Sequence, residues 1–218
     1  PILRNRMKRV LSTSISVGLA TGLYGISFGA LAAVAGLDLL SIMLLSILMF
    51  SGGSQFAFIG VIAAGGAPIS AVTSAWLLGV RNGFYAMRLN SVLAPRGILK
   101  LISAQLSIDE SNGVSAAQDD LKSQRVGFWA TGIAVFVFWN LATLLGALAG
   151  DLLGSAETWG LDAAAAAAFL GLVWPRLKEN KLLAFSAAVI SVVGSLFLPA
   201  GVPVLLTVLV ALLPGRSK

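Results

Sequence analysis

The sequence predicts an all-α, polytopic membrane protein, and three observations carry that prediction. Of 218 residues, 57% are hydrophobic and 11% charged, against roughly 25% charged in soluble domains. The mean hydropathy is +0.92. So few charges cannot cover a water-facing surface, so most of the surface must meet lipid or protein. The apolar runs are long and continuous rather than alternating, which favours helices over a closed barrel, and lipid leaves no third kind of spanning structure. The basic residues gather in a few places between those runs, as they do in the loops on one side of a membrane.

Composition also removes chemistry. The chain has no Cys and no His. Disulfides, Cys/His zinc sites, Ser-His-Asp triads, Cys nucleophiles and a His proton relay are therefore excluded. No intramembrane carboxylate cluster suggests a metal site. No metal, cofactor or enzymatic activity is expected, and a membrane-embedded enzyme is the weaker alternative. The net charge of +6 follows from the placement of the basic loops and does not point to nucleic acid.

The apolar segments fall at about 11–35, 38–50, 54–66, 69–93, 126–150, 161–175, 182–199 and 202–214. The first follows Arg4, Arg6, Lys8 and Arg9. A signal sequence has a similar start, but its apolar core runs about 7–15 residues, and this one continues from Val10 to about Leu37. A retained span is expected. The opening Pro1 suggests that residues precede it. Arg96, Lys100, Lys122 and Arg125 lie in a polar connector, Arg176, Lys178 and Lys181 in another, and Arg216 and Lys218 near the end. The remaining connectors carry Asp38, Asp151, Glu157 and Asp162. Both termini and the basic connectors are therefore expected in the cytoplasm.

Segments 38–50 and 54–66 fall short of the roughly 20 residues a crossing helix needs. Between them stands Ser51-Gly52-Gly53-Ser54-Gln55. The charge pattern asks for Asp38 and Pro68 on the same outer side, which a re-entrant pair of short helices meeting at this break satisfies. One broken helix crossing once is the rival, and it would place Arg96 and Lys100 outside. A broken helix exposes N–H groups at one end and carbonyls at the other, attractive to a carboxylate and a cation respectively. A zwitterionic amino acid fits that chemistry, and a small organic ion or an ion path also would.

In 69–93, Ser70, Ser74, Arg81, Tyr85 and Arg88 share a helical face. A lone charge at mid-membrane costs at least ~2.5–3.5 kcal/mol, so Arg81 demands a partner, whether it is structural or grips a substrate. Arg88 reads as a snorkelling interfacial residue. Asn140 reads first as an interhelical hydrogen bond and second as a site residue. Asp109 and Glu110, in "SIDES", read first as part of a solvated cytoplasmic loop and second as a gate or partner contact. The five Trp residues read as interface anchors. Gly18, Gly22, Gly25, Gly29 and Gly36 form a stripe suited to close helix approach.

Three fragments recur in the same order. "FGALA" at Phe28 returns as "LGALA" at Leu145, "GLD" at Gly36 returns at Gly160, and "GAPISAVTSAWLLG" at Gly66 resembles "GVPVLLTVLVALLPG" at Gly201, with offsets of 117, 124 and 135. A duplicated four-segment unit is expected within one transporter domain: repeat one at about 11–93, a cytoplasmic connector at 94–125 and repeat two at about 126–214. The charges favour repeats of equal orientation over inverted ones. Such repeats are common in secondary transporters, which hold substrate at the repeat interface.

The series "FSGGSQFA", "GVRNGFYAMRLNSVLAP", "SIDES" and "GLDAAAAAAFLGLVWPRLK" resembles the AzlC family over nearly the whole chain. The family comprises large subunits of branched-chain amino acid exporters, including the YgaZ and BrnF types. Ser54, Gln55, Arg81 and Tyr85 match its motif positions, while Asn82 stands where relatives commonly carry His. The resemblance implies export of Val, Leu, Ile and perhaps Met across a prokaryotic cytoplasmic membrane, together with a small AzlD-type membrane partner. The expected substrate residues are Ser51, Gly52, Gly53, Ser54, Gln55, Arg81 and Tyr85, with Asn82 and Asn140 secondary. A non-transporting assembly subunit is the alternative; it explains the small-residue faces but not the central Arg or the polar break.

Overall fold

The computed structural model describes residues 2–153, 170, 174, 177–178, 180–199, 202–207 and 209. Every regular element among them is helical: α1 (Ile2–Val34), α2 (Leu39–Leu48), α3 (Gly52–Ala63), α4 (Pro68–Leu93), α5 (Ile98–Gln105), α6 (Asp109–Ala116), α7 (Leu121–Leu153), α8 (Lys181–Ser195) and α9 (Val202–Leu206). Of the segment expected at 161–175 only Leu170 and Trp174 are described, and the alanine run from Ala163 to Ala168 lies outside the described residues. The stretches Arg4–Val34 and Leu121–Gly150 are long and apolar enough to cross a membrane.

Those two helices form the spine. They run parallel, because partners climb both chains together. Thr131 Oγ1 lies 2.9 Å from Ser14 Oγ. Gly18 faces Ala134, Gly22 faces Phe138, Gly25 faces Trp139 and Ala142, and Gly29 lies against Thr143 and Ala147. From the other side, Gly146 lies on Ile26 and Gly150 on Ala30 and Ala33. The expected glycine stripe is thus a packing surface as far as Gly29. Gly36 stands apart at φ 87 with nothing near it, ending the turn after α1 in the left-handed region that glycine tolerates.

At α2, Asp38 caps the first turn, accepting from Ser41 N at 2.9 Å and Ser41 Oγ at 2.7 Å. After Leu48 the chain reverses. The Gln55 amide nitrogen lies 3.3 Å from Leu45 O, 3.4 Å from Ser46 O and 2.9 Å from Met49 O. An uninterrupted helix would separate positions 45 and 55 by about 15 Å. α2 and α3 therefore form a V with its tip at Met49–Ser51, the shape that a re-entrant pair would take. The short turn after Ala63 sends α4 back antiparallel to α3, with Ser54 beside Gly79. The start of α4 thus lies at the same end as Asp38. The far end of α4 meets the start of α7, where Arg125 Nε donates to Val92 O at 2.8 Å.

The connector 94–125 departs from expectation. It is not a solvated loop but a second V, made of α5 and α6 and coming from the basic end. Its tip packs Leu106 on Gly132, and its returning arm packs Val114 on Gly127. Ser103, Ser107, Ser111 and Ser115 are all buried. Serine enters such a core at low cost where its hydroxyl can return to a helix carbonyl: Ser107 donates to Ser103 O at 2.7 Å and Ser103 to Lys100 O at 3.0 Å, while Ser115 Oγ has no partner.

The two tips meet. Gln105, ending α5, donates to Ile47 O at 2.6 Å at the end of α2. Around this junction Phe28, Ile42, Phe56, Phe128 and Trp139 form the apolar core.

Candidate functional site

The break between α2 and α3 builds two environments, one on each side of the first turn of α3. On one side lies a cavity of about 550 Å³ between α2, α3, α4 and α5. Leu45, Leu48, Phe58, Val72 and Trp76 make its apolar walls, while Ser51, Ser54, Asn82 and Gln105 supply polar groups. The Ser51 side chain makes no capping bond to α3; Ser54 Oγ donates to Ser51 Oγ at 3.1 Å instead. The opening N–H groups of α3 are thus left without a side-chain cap at the end of the helix whose dipole favours an anion. Asn82 Oδ1 is a buried acceptor with no hydrogen bond.

On the other side lies an ion pair. Arg81 Nη2 sits 2.8 Å from Asp109 Oδ2, and Tyr85 donates to Asp109 Oδ1 at 2.6 Å. Arg81 also crosses the break: a Cβ built at Gly53 would come within 2.9 Å of its Nη2. Gly53 is therefore the residue that lets the guanidinium lie against the backbone here. The side chains of Arg81 and Asp109 are 34% and 36% exposed, so the pair is only partly buried. The partner that Arg81 required is thus Asp109, and the reading of Asp109 as part of a solvated loop is corrected. Glu110, beside it, lies near Thr21 of α1.

Gln55 holds the break in shape rather than lining the cavity. It is fully buried. Its nitrogen satisfies carbonyls at the end of α2, and its Oε1 accepts from Trp139 Nε1 at 2.9 Å. With Gln105 it occupies the α2 carbonyls that the sequence had offered to a substrate cation. Trp139 is 4% exposed and stacks on Phe28 at 6.4 Å, so it is a core residue and not an interface anchor. Gly52 lies against its ring. Trp76 is 68% exposed and Trp174 49%, while Trp159 is outside the described residues.

The structure thus brings Ser51, Ser54 and Asn82 together at the cavity, sets Gly53, Arg81 and Tyr85 on the opposite flank, and places Gln55 and Gly52 behind both. Asn140 joins neither group. Its Nδ2 donates to Phe136 O at 2.8 Å within its own helix, which replaces the expected interhelical bond. Arg88 reaches Asn112 Oδ1 at 2.7 Å at an exposed position, as an interfacial side chain does. Sequence reasoning missed Gln105 and Trp139. The unmet carbonyls of a helix broken in an apolar region were the signal for both, since such groups must find donors.

The family model described as AzlC protein matches residues 16–153, more than half of the chain. The matched stretch holds the cavity, the ion pair and the α1–α7 contacts from Gly18 onward. No curated protein and no solved structure matches the chain.

Proposed function

The chain belongs to the AzlC family, and from that premise we propose that it exports branched-chain amino acids as the large subunit of a two-component secondary transporter. It would sit in the cytoplasmic membrane of a prokaryote with both termini inside. The observation that carries this reading is the cavity at the break. Its volume of about 550 Å³ lies within the roughly 300–1,000 Å³ typical of small-molecule sites. Aliphatic walls suit a Val, Leu, Ile or Met side chain. The uncapped start of α3, with the Ser51 and Ser54 hydroxyls, suits the carboxylate, and the unpaired Asn82 Oδ1 suits the ammonium group.

Charge placement supports the orientation. Arg6, Arg9, Lys100, Lys122 and Arg125 share one end of the molecule, and Asp38 and the turn after Ala63 share the other. A cysteine replacing Lys122 should react with an impermeant maleimide only after permeabilisation, and one replacing Ala64 should react in intact cells; the reverse pattern would sink the topology. The parallel α1–α7 pair supports two repeats of equal orientation. Ser14 and Thr131 touch at a separation of 117 residues, the offset at which "FGALA" returns, and Gly29 and Gly146 stand in the same relation on the two sides of the crossing.

The small membrane subunit would seat along the exposed apolar row Ile69, Val72, Trp76, Phe84 and Met87 of α4, which borders the cavity. The test of the whole reading is efflux from cells preloaded with Val, Leu, Ile and Met and with a peptide control, with and without a co-expressed partner. Selective, partner-dependent loss of the branched amino acids is expected. Equal loss of the peptide would overturn the substrate class, and full export by the chain alone would overturn the two-component arrangement.

A further inference from the structure

The helical glycines of this chain divide by what surrounds them. Along α1 and α7 a methyl group at Gly18, Gly22, Gly25, Gly29, Gly146 or Gly150 would strike the facing helix, so close packing accounts for those residues. Gly60, Gly79, Gly83 and Gly113 have no such reason, and of these four only Gly79 and Gly83 of α4 line the cavity. They stand one helical turn apart on the face that lines the cavity. A Cβ at Gly83 would meet nothing within 4 Å, and one at Gly79 only the Ser54 hydroxyl, at 3.3 Å. Glycine inside a helix is disfavoured relative to alanine. No backbone is brought closer by these two, and both have negative φ. Gly79 leaves room beside the Ser54 hydroxyl, and Gly83, at an exposed position one turn further on, keeps the adjoining wall of the cavity free of a side chain.

We infer that Gly79 and Gly83 are the size filter of the cavity: their missing side chains leave the room that a branched aliphatic side chain fills, and so set the largest amino acid accepted. This rests on the transport reading above. The carboxylate and ammonium groups are common to all amino acids and engage Ser51, Ser54 and Asn82, so discrimination falls to the opposite part of the cavity. A hydrophobic pocket that loses room for one methylene typically discriminates by roughly 10- to 200-fold.

The experiment uses the full purified chain and a ladder of L-alanine, L-valine, L-leucine, L-methionine and L-phenylalanine, with binding measured calorimetrically. Gly83→Val should weaken leucine and methionine about 10-fold or more while changing alanine less than about 3-fold. Gly83→Ala should give a smaller shift in the same order. Gly79→Ala should fall between them, since it also displaces the Ser54 hydroxyl. Melting of Gly83→Ala should occur at or above the parent temperature, because a helix-favouring residue enters empty space. A lowered melting temperature would mean that the position is packed, and would overturn the inference. Uniform weakening across the ladder, or no change for leucine, would overturn it as well. If the parent binds nothing on the ladder either alone or with its co-expressed membrane partner, the transport reading falls and the filter with it; if the parent binds and Gly83→Val does not discriminate, the filter alone falls.

Discussion

The α1–α7 spine and the wedge of α2, α3, α4 and α5 are made from the same small and apolar residues, yet they use them oppositely. In the spine, glycine removes side chains so that two backbones can touch. In the wedge Gly79 and Gly83 leave a hole, and the polar groups around the hole are partly unspent. The spine is also poor in buried polar contacts, such as the Ser14–Thr131 pair, whereas the wedge carries Gln55, Gln105, Ser51 and Ser54 at its centre. The spine resembles a fixed frame, and the wedge has the composition of a site. The difference teaches that a glycine in a membrane helix has to be read by its neighbours before its role can be assigned.

The sharpest break of that comparison is Gly29→Leu. Its side chain would drive into the backbone of α7 at Thr143, where neither partner can yield. Overpacking costs typically ~1–3 kcal/mol and more against backbone. Loss of the monodisperse size-exclusion peak is expected. A Gly29→Leu chain that behaves like the parent would mean the spine is loosely packed.

Gln55→Ala comes next. It strands Trp139 Nε1 and the α2 carbonyls, each buried group costing roughly 1–3 kcal/mol when left unpaired. A clear drop in melting temperature should accompany the loss of binding. A pure affinity loss with unchanged melting would instead make Gln55 a substrate contact.

The ion pair should have a smaller effect. Arg81→Gln and Asp109→Asn, alone and together, form a double-mutant cycle. The pair is about a third exposed, so solvent screening should hold its coupling near 1 kcal/mol. A coupling of zero would show that Arg81 finds its partner elsewhere.

The smallest effect is expected at Asp120, where α7 begins. The backbone N–H of Ser123, its hydroxyl and then Arg6 hold the Asp120 carboxyl down to about 2. A depressed carboxylate stabilises above its unfolded pKa of ~3.9, and the benefit disappears as pH falls through about 2. Asp120→Ala should therefore melt slightly below the parent at neutral pH, with the gap closing between about pH 4 and 2. A gap that persists at the acid end would assign the effect to packing.

Much of this arrangement could be read in the sequence. The break, the common side of Asp38 and Pro68 and the need of Arg81 for a partner all follow from bilayer length and charge. The second V did not, because its serines look polar. In fact Ser103, Ser107 and Ser111 spend their hydroxyls on nearby carbonyls, so the helix buries them like apolar residues. Asp109 was misread for a related reason. In a single sequence an acidic pair beside Ser and Asn looks solvated, and nothing local marks a guanidinium 28 residues earlier. The identity of the cavity wall was also hidden, since Gly79 and Gly83 are indistinguishable in sequence from packing glycines.

The contact of Gln105 with the end of α2 has an electrical consequence in the membrane setting proposed above. Were water to follow each V inward, two Vs that meet tip to tip would leave an insulating barrier of only a few residues at that point. A transmembrane voltage is worth about 2.3 kcal/mol per elementary charge per 100 mV, and it falls mainly across the thinnest dielectric. The field would then act chiefly on groups at the tips, among them Arg81 and Asp109, rather than being spread along the 33 residues of α7. Displacing either charge by a few ångström would cross a large share of the voltage, so a modest local movement there would be strongly voltage-dependent.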